Sequence, residues 1–289
     1  MPAIEVTDLR KSYGPVEAVR GVSFQVERGE VFGLLGPNGA GKTTTVEILE
    51  GYRKRSSGDV RVLGRDPQNR DRELQQRVGI VLQSSGFYPR VTVREAIEHF
   101  GKPYANRRDA RETIELVGLT EKADTKAKDL SGGQRRRLDL ALALVGDPEL
   151  VFLDEPTTGF DPAARRTAWG VIERLRQFGT TILLTTHYLD EAQALADRVA
   201  IVKDGAIIAE GAPGELSRAS ARYRISYIAP DGRRIEHATD DPTSLLQELT
   251  TAALARGERL EGLEVTHPTL EDVYLELTAE QEPAREAVS

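Results

Sequence analysis

The segment 36–43 has the residue types and spacing of a phosphate-binding loop. It fits the pattern G-x-x-x-x-G-K-[ST] at every specified position, with the residues Gly36, Pro37, Asn38, Gly39, Ala40, Gly41, Lys42 and Thr43. Glycines let successive backbone N–H groups turn toward one anion, and the helix that we expect next adds the positive end of its dipole. Lys42 can reach β- and γ-phosphates, and the Thr43 hydroxyl can ligate Mg²⁺. We therefore predict a nucleotide-phosphate site here, and we include Thr44 in it.

A second candidate site follows the apolar run 150–153, which ends in the carboxylates Asp154 and Glu155. Buried carboxylates are costly unless they are paired or face a cation. The C-terminal edge of the strands is also where α/β sheets bind ligands. We predict that Asp154 holds Mg²⁺, directly or through water, and that Glu155 is the general base for an attacking water. An acidic pair at a strand end is a weak signal alone, and the phosphate loop makes it strong.

The pentapeptide 130–134 stands between these two motifs and consists of Leu130, Ser131, Gly132, Gly133 and Gln134. It opens a helix that we expect to continue through 138–144, which gives the chain a second helix N-terminus for a phosphate. Its composition and position resemble the signature motif of ABC ATPases. In that family ATP lies between the phosphate loop of one subunit and the signature of the other, in a head-to-tail dimer. The resemblance implies that residues 131–134 bind nucleotide.

The same resemblance implies roles for four further residues. Tyr13 is similar to the aromatic residue that stacks on adenine, and Gln83 to the glutamine that contacts both Mg²⁺ and the attacking water. Asp161 ends a loop that couples the two ATP sites, although Phe160 stands where the family more often has leucine. His187 resembles the histidine that contacts the γ-phosphate. Taken singly, Tyr13, Gln83 and His187 could each be ordinary structural residues, but their order and their positions at strand ends favour the functional interpretation.

Composition limits the remaining possibilities. The 289 residues include no cysteine, which excludes disulfides and thiolate metal sites. No apolar run approaches the ~20 residues needed to cross a bilayer, and the N-terminus does not resemble a secretory signal. We therefore expect a membrane role to depend on a separate transmembrane permease subunit. The net charge of −7 argues against a broad nucleic-acid surface, so no nucleic-acid partner is expected. The densest basic run, 135–137, is expected to be a solvated helix face.

The apolar pattern predicts the fold class α/β, with strands alternating with helices around a mostly parallel sheet. The expected strands are 4–9 at an edge, 16–26, 31–35, 78–82, 150–153, 181–185 and 199–202. Together with the resemblance, this pattern predicts a P-loop NTPase core of ABC type, which has an N-terminal antiparallel β part and an inserted helical lobe at about 90–143. This ATPase domain is expected to span 1–216.

Residues 217–280 carry none of the nucleotide motifs and are expected to form a small C-terminal α+β accessory domain, followed by a disordered tail at 281–289. A helix at 268–277 would carry an apolar stripe consisting of Leu270, Val273, Tyr274 and Leu277. This stretch resembles the tail of ATPase subunits from ABC-2 exporters, including the daunorubicin-resistance type.

We therefore predict an ATP-hydrolysing, Mg²⁺-dependent motor subunit of an ABC transporter that drives export from the cytoplasmic face of the membrane. We expect it to be a homodimer in the ATP-bound state. One alternative is a non-transport ABC ATPase that acts on ribosomes or nucleic acid. Such proteins usually have two cassettes in one chain, a long coiled-coil insertion or zinc-binding cysteines, and this sequence has none of them. The other alternative is a regulator that binds ATP without hydrolysing it, against which Asp154, Glu155 and His187 argue.

Overall fold

The computed structural model describes residues 1–81, 90–220, 222–266 and 269–279. The chain divides into two compact units, Met1–Gly211 and Ala212–Ser289. No helix in the described ranges combines the length and the hydropathy that crossing a bilayer requires.

The first unit contains nine strands and seven α-helices in the part that the structure describes. The strands are β1 (Ile4–Tyr13), β2 (Val16–Val26), β3 (Val31–Leu35), β4 (Ser57–Val62), β5 (Val78–Val81), β6 (Leu150–Asp154), β7 (Thr181–Thr186), β8 (Arg198–Lys203) and β9 (Ala206–Gly211). The helices are α1 (Lys42–Leu49), α2 (Arg72–Gln75), α3 (Val93–Gly101), α4 (Ala110–Leu116), α5 (Gly132–Leu144), α6 (Pro162–Gln177) and α7 (Leu189–Leu195).

The central sheet has six strands in the order β5-β6-β7-β3-β8-β9. All pairs are parallel except the β8–β9 hairpin at one edge. Every residue of β3, β6 and β7 is buried, which explains the apolar runs 31–35, 150–153 and 182–184 within these strands. The predicted α/β fold is confirmed, and the C-terminal ends of β3, β6 and β7 lie side by side at one edge of the sheet.

The N-terminal strands form a separate antiparallel sheet in the order β2-β1-β4. The sequence predicted an edge strand over 4–9, and this was wrong, because β1 is the middle strand and extends to Tyr13. Its second neighbour, β4, was missed because its only two branched apolar residues are Val60 and Val62. Gly58 lets β4 approach β1 closely, since a Cβ there would lie 2.3 Å from the Asp8 carbonyl oxygen.

Helices α3, α4 and α5 lie between β5 and β6 along the chain and form a helical lobe. The start of α3 is fixed by a capping box in which Thr92 and Glu95 exchange hydrogen bonds. Ile97, Ile114 and Leu138 are at most 2% exposed and belong to one apolar core with residues of β6 and β7. This shared core anchors the helix α5 to the edge of the sheet where β6 ends.

The second unit contains α8 (Pro213–Ser220), β10 (Tyr223–Ile228), β11 (Arg234–Thr239), α9 (Pro242–Ala255), β12 (Glu261–Thr266) and α10 (Leu270–Ala279). Its strands form an antiparallel sheet in the order β11-β10-β12. The boundary that we expected at 216/217 falls inside α8, which packs against α10 within this unit. Leu270 and Val273 are fully buried, and Tyr274 and Leu277 are half-buried. The tail 281–289 lies outside the described residues.

Candidate functional site

The phosphate loop joins the buried strand β3 to the helix α1. Gly41 precedes α1 with a φ of 99°, in the left-handed region that favours glycine. A Cβ at Gly41 would lie 2.5 Å from the carbonyl oxygen of Ala18 in β2, and one at Gly36 would lie 2.2 Å from that of Val202 in β8. Pro37, Asn38 and Gly39 are exposed and Ala40 is buried, while Thr43 is exposed and Thr44 half-buried in the first turn of α1. Neighbouring backbone therefore holds the loop in place at both ends.

The ammonium group of Lys42 lies inside this loop. The side chain is only 4% exposed, and Nζ donates hydrogen bonds to the carbonyl oxygens of Gly36 at 2.7 Å and Pro37 at 3.1 Å. Burial lowers the pKa of Lys42, whereas the charges of Glu155 and Asp154 act in the opposite direction. Carboxylates at the end of β6 thus face the lysine of the phosphate loop.

Asp154 is the last residue of β6 and is 8% exposed. Its Oδ1 accepts a hydrogen bond of 2.5 Å from the hydroxyl of Thr185 in the neighbouring strand β7. That hydroxyl oxygen also accepts a hydrogen bond of 3.0 Å from the backbone N–H of Glu155. Sequence reasoning missed Thr185. Thr185 is one of three threonines in β7, and nothing in the sequence distinguishes it from Thr181 and Thr186.

Glu155 has a φ of 46°, an uncommon left-handed conformation for a residue with a side chain. Its Oε2 accepts a hydrogen bond of 3.1 Å from the Thr158 hydroxyl. Its Oε1 lies 3.3 Å from Nδ1 of His187 and 3.9 Å from Nζ of Lys42. The structure therefore brings together the lysine, the carboxylate and the histidine that the sequence singled out at three separate places.

The structure also describes the surroundings of Tyr13 and His187. Tyr13 ends β1 and is 39% exposed, and its ring centroid lies 5.0 Å from Nζ of Lys11 and 5.2 Å from the guanidinium carbon of Arg53. Gln83 lies outside the described residues. His187 directly follows β7, and its ring contacts that of Tyr188 in a tilted arrangement, with centroids 4.0 Å apart and an interplanar angle of 40°.

The signature residues open α5 through a capping box. Ser131 Oγ accepts from the backbone N–H of Gln134 at 3.3 Å, and Gln134 Oε1 accepts from the backbone N–H of Ser131 at 2.9 Å. Asp161 caps α6 in a similar way, since its Oδ1 accepts from the N–H groups of Ala163 and Ala164. One open cleft is lined by residues that include Ser131, Gly132, Gly133, Gln134, Glu155 and Asp161.

The basic run 135–137 is not the fully solvated face that we expected. Arg135 is exposed, but Arg136 is half-buried and donates hydrogen bonds to the carbonyl oxygens of Asp154 at 3.1 Å and Pro156 at 3.3 Å. Burial lowers the pKa of Arg136. Arg137 donates to the Gly118 carbonyl oxygen at 2.7 Å. The prediction was wrong for Arg136 because carbonyl groups at the end of β6 need donors, and α5 supplies one.

Glu50 is another residue that the sequence did not single out. It ends α1, and burial, followed by the charges of Asp154 and Glu47, raises its pKa to about 8. The end of α1 thus adds a carboxyl group to the electrostatic surroundings of Asp154.

The oxygen donors near the loop suit Mg²⁺, which prefers hard oxygen ligands. They are the Thr43 hydroxyl and the Asp154 carboxylate. Among the described residues, no group of three or more His, Cys, Asp or Glu side chains could hold a metal ion. Such a group is not required, because Mg²⁺ is commonly held by one or two protein oxygens together with the phosphates of the substrate.

Fold and site together define the class of protein. A phosphate loop between a buried strand and a helix, facing an acidic strand end in a mostly parallel sheet, is the arrangement of a P-loop nucleoside triphosphatase.

Comparison with known proteins narrows this class. Residues 19–158 match the sequence model of the ABC transporter family. The Nod factor export ATP-binding protein I of Burkholderia lata is 38% identical over 305 residues, which cover 96% of this chain and 97% of the relative. The protein of the same name from Paraburkholderia xenovorans is 45% identical over 219 residues, covering 74% of this chain and 72% of the relative.

Solved structures agree with these sequence matches. The structure of cbiO1 from Clostridium perfringens, part of the ABC transporter complex cbiONQ, has a TM-score of 0.65 at 28% identity and covers 74% of this chain and 90% of its own. A dimeric ATP-binding cassette in a post-hydrolysis state, bound to ADP and Pi, has a TM-score of 0.63 at 26% identity, covering 72% and 98%. The chain belongs to the ATP-binding subunits of ABC transporters, and it is an ATPase. The ribosome or nucleic-acid alternative is not favoured.

Proposed function

We propose that this chain is the ATPase subunit of an exporter and works through a separate transmembrane permease, which holds it at the cytoplasmic face of the membrane. The proposal is supported by relatives named for export that align with 96% of the chain. It also fits a chain whose described helices include none that could span a bilayer. The permease would select the cargo, and this chain would supply the work of ATP hydrolysis.

The position of the Glu155 carboxylate carries the chemical part of the proposal. It lies at the end of β6, 3.3 Å from His187 and 3.9 Å from Lys42, and it is 10% exposed. In this position Glu155 is the general base that accepts a proton from the attacking water. Lys42 binds the β- and γ-phosphates, and His187 contacts the γ-phosphate.

Thr43, Gln83 and Asp154 are the residues that we propose to hold Mg²⁺. When bound, this ion offsets negative charge on the transferring phosphoryl group. The buried hydrogen bond from Thr185 fixes one oxygen of Asp154 and so orients its carboxylate. Tyr13 supplies the aromatic surface for adenine, and its exposure leaves the ring accessible.

We further propose that two copies of the chain form a head-to-tail homodimer when ATP is bound. The phosphate loop 36–43 and Thr44 of one copy would bind the nucleotide, and residues 131–134 and Asp161 of the other would complete the site. The cleft that Ser131 lines is lined by none of residues 36–44 of the same copy, which supports a second copy as the source of the phosphate loop.

Replacement of the proposed base tests the chemistry. Glu155→Gln keeps the shape of the side chain but removes the proton acceptor, so turnover should fall about 10²–10⁴-fold while ATP binding persists. Steady-state ATPase rates and nucleotide titration measure the two properties. Glu173→Gln on the exposed side of α6 is the matched control and should keep the wild-type rate. A normal rate in Glu155→Gln would refute the assignment of the base.

Isolation of the chain in mild detergent tests the partner. We expect a transmembrane protein to copurify with it, and transport by the reconstituted pair to stop when Glu155→Gln replaces the wild type. Copurification with ribosomes or nucleic acid and with no membrane protein would favour the alternative function instead.

A further inference from the structure

Glu191 in α7 is a fully buried carboxylate with few partners. Its exposed fraction is 0%. Its Oε1 accepts a hydrogen bond of 2.8 Å from the Thr157 hydroxyl and one of 3.1 Å from Nε1 of Trp169. Its Oε2 is also buried and has no hydrogen-bond partner within the described part of the chain. Burying a carboxylate this way is costly, which indicates a function that depends on it.

The two donors and Glu191 belong to three segments that lead directly to the proposed catalytic residues. Thr157 is two residues after Glu155. Trp169 lies in α6, which begins just after Asp161. Glu191 itself lies in α7, which begins two residues after His187. Through its Oε1 atom, Glu191 therefore links the segment after His187 to the segments after Glu155 and Asp161.

Thr158, the residue after Thr157, connects this hydrogen-bonded group to Glu155. The Thr158 hydroxyl donates to Glu155 Oε2 at 3.1 Å, so a fixed Thr157 also fixes the group that orients the Glu155 carboxylate. Thr157 is fully buried and cannot find another donor or acceptor in solvent. Loss of its bond to Glu191 would release the loop that carries Glu155 from the helix that follows His187.

We propose that Glu191 is a positioning residue for ATP hydrolysis, holding Glu155 and His187 in register through its bonds to Thr157 and Trp169. The inference rests on the proposed role of Glu155. It concerns the acceptor oxygen of Glu191 and not contact with ATP, so the effect should appear in kcat and leave nucleotide affinity nearly unchanged.

A second contact between the same helices supplies a control. Arg165 of α6 pairs with Asp190 of α7 at 3.1 Å, and Asp190 is 59% exposed. The Arg165 guanidinium also lies 4.4 Å from the centroid of the Tyr188 ring. Asp190→Asn thus removes a carboxylate one residue from Glu191 and weakens an α6–α7 contact, but leaves the bonds of Thr157 and Trp169 untouched.

The experiment compares Glu191→Ala, Glu191→Gln and Asp190→Asn in the full chain. In Glu191→Ala we expect kcat to fall about 10–100-fold, with KM for ATP changed less than about threefold. Glu191→Gln keeps an acceptor oxygen and should remain within about threefold of wild type, because the amide carbonyl can receive both donors. Asp190→Asn should match wild type. Thermal unfolding of each variant confirms that the assays compare folded protein.

Trp169 is the chain's single tryptophan, so the tryptophan emission reports on the surroundings of this one indole, which include the bond to Glu191. Glu191→Ala should shift the emission maximum and the lifetime, whereas Asp190→Asn should shift neither. Should Glu191→Ala fail to fold, Thr157→Val removes one donor at nearly constant volume and should lower kcat about 3–10-fold with KM retained.

Several results would overturn the inference. They are a wild-type kcat in both Glu191→Ala and Thr157→Val, a rise in KM with kcat intact, or equal impairment of Glu191→Gln and Glu191→Ala. Failure of the underlying assignment is distinguishable, because it would appear as a normal rate in Glu155→Gln whatever Glu191 does.

Discussion

The two helix starts that the proposed site directs at phosphate are built in opposite ways. The start of α1 is held from outside, since Gly41 and Gly36 lie so close to carbonyl groups of β2 and β8 that neither position has room for a Cβ. The start of α5 is held from within, by the reciprocal bonds of Ser131 and Gln134. A Cβ at Gly132 would meet nothing within 4 Å.

This difference indicates that the start of α1 is preformed within one chain, whereas the start of α5 needs a second copy to bind phosphate. The loop before α1 cannot move without displacing strands of two sheets, so it presents its N–H groups in a fixed arrangement. The start of α5 is exposed, and its side chains satisfy its own donors. We expect it to exchange some of these bonds for a phosphate bound by the second copy.

Mixing two inactive variants tests this division with the largest expected effect. Lys42→Ala damages the phosphate loop before α1, and Ser131→Arg damages the exposed start of α5. Each variant alone should therefore lose ATPase activity by at least about 10²-fold. In a heterodimer both lesions can fall in one composite site, which leaves the other site intact. The mixture should therefore recover activity that neither parent has, as measured by phosphate release after purification of the heterodimer through two different tags.

Two outcomes bear on the comparison. A purified heterodimer as inactive as its parents would remove the support for a head-to-tail arrangement. As the control, a mixture of wild type with Lys42→Ala reports how well a dimer with a single intact site can turn over.

Matched glycine substitutions at the two helix starts test the comparison through their effect on the free energy of unfolding. Gly41→Ala places a side chain in a left-handed backbone and against the Ala18 carbonyl oxygen, so the free energy of unfolding should fall by about 2–4 kcal/mol. Gly132→Ala, at the first position of α5, should change it by no more than about 1 kcal/mol and toward greater stability. Urea unfolding measures both. Equal changes would mean that the two helix starts are held alike.

The far end of α1 yields the smallest expected effect. The pKa of Glu50 rises from 4.5 in the ordinary state to about 8 in the fold. Between these values the folded chain retains a proton that the unfolded chain has lost, so this group lowers the free energy of unfolding as pH rises from 4.5 to 8. Glu50→Gln should therefore gain stability relative to wild type as pH rises from 4.5 to 8, and the pH-dependent difference should be close to zero at pH 4.5.

Urea unfolding in EDTA without nucleotide, at several pH values, checks the Glu50 prediction. Glu47→Gln is a second variant. Because the charge of Glu47 is one cause of the raised pKa of Glu50, this variant should also reduce the loss of stability between pH 4.5 and 8, although it breaks the ion pair with Arg53. A stability difference for Glu50→Gln that does not vary with pH would contradict the electrostatic explanation.

The sequence predicted those parts of the site whose chemistry is contained in one short segment. The phosphate loop, the end of β6 and the start of α5 each need a particular order of neighbouring residues, so the order alone reveals them. The buried strands β3, β6 and β7 were predictable for a similar reason, because burial on both faces leaves a short apolar run in each of them.

The sequence did not predict residues whose role comes from distant neighbours. Thr185, Arg136 and Glu191 have no local pattern of their own, and each matters because of a partner on another segment. The strand β4 was missed because its apolar alternation is limited to Val60 and Val62, and because its close approach to β1 at Gly58 is not visible in the sequence. Gln83 stays a prediction.

The contacts of the Ala18 carbonyl oxygen bear on how movement is transmitted within the first unit. A Cβ at Gly41 or at Gly205, in the β8–β9 turn, would collide with this same oxygen, at 2.5 Å and 2.8 Å. Backbone hydrogen bonds complete the junction, from Arg20 to Gly205 at 2.7 Å and from Gly205 to Ala40 at 3.1 Å. The strand β2, the phosphate loop and the β8–β9 turn are thus in direct backbone contact at this point. Close-packed backbone deforms less readily than flexible side chains, so movement of the antiparallel sheet is expected to shift the nucleotide loop with it.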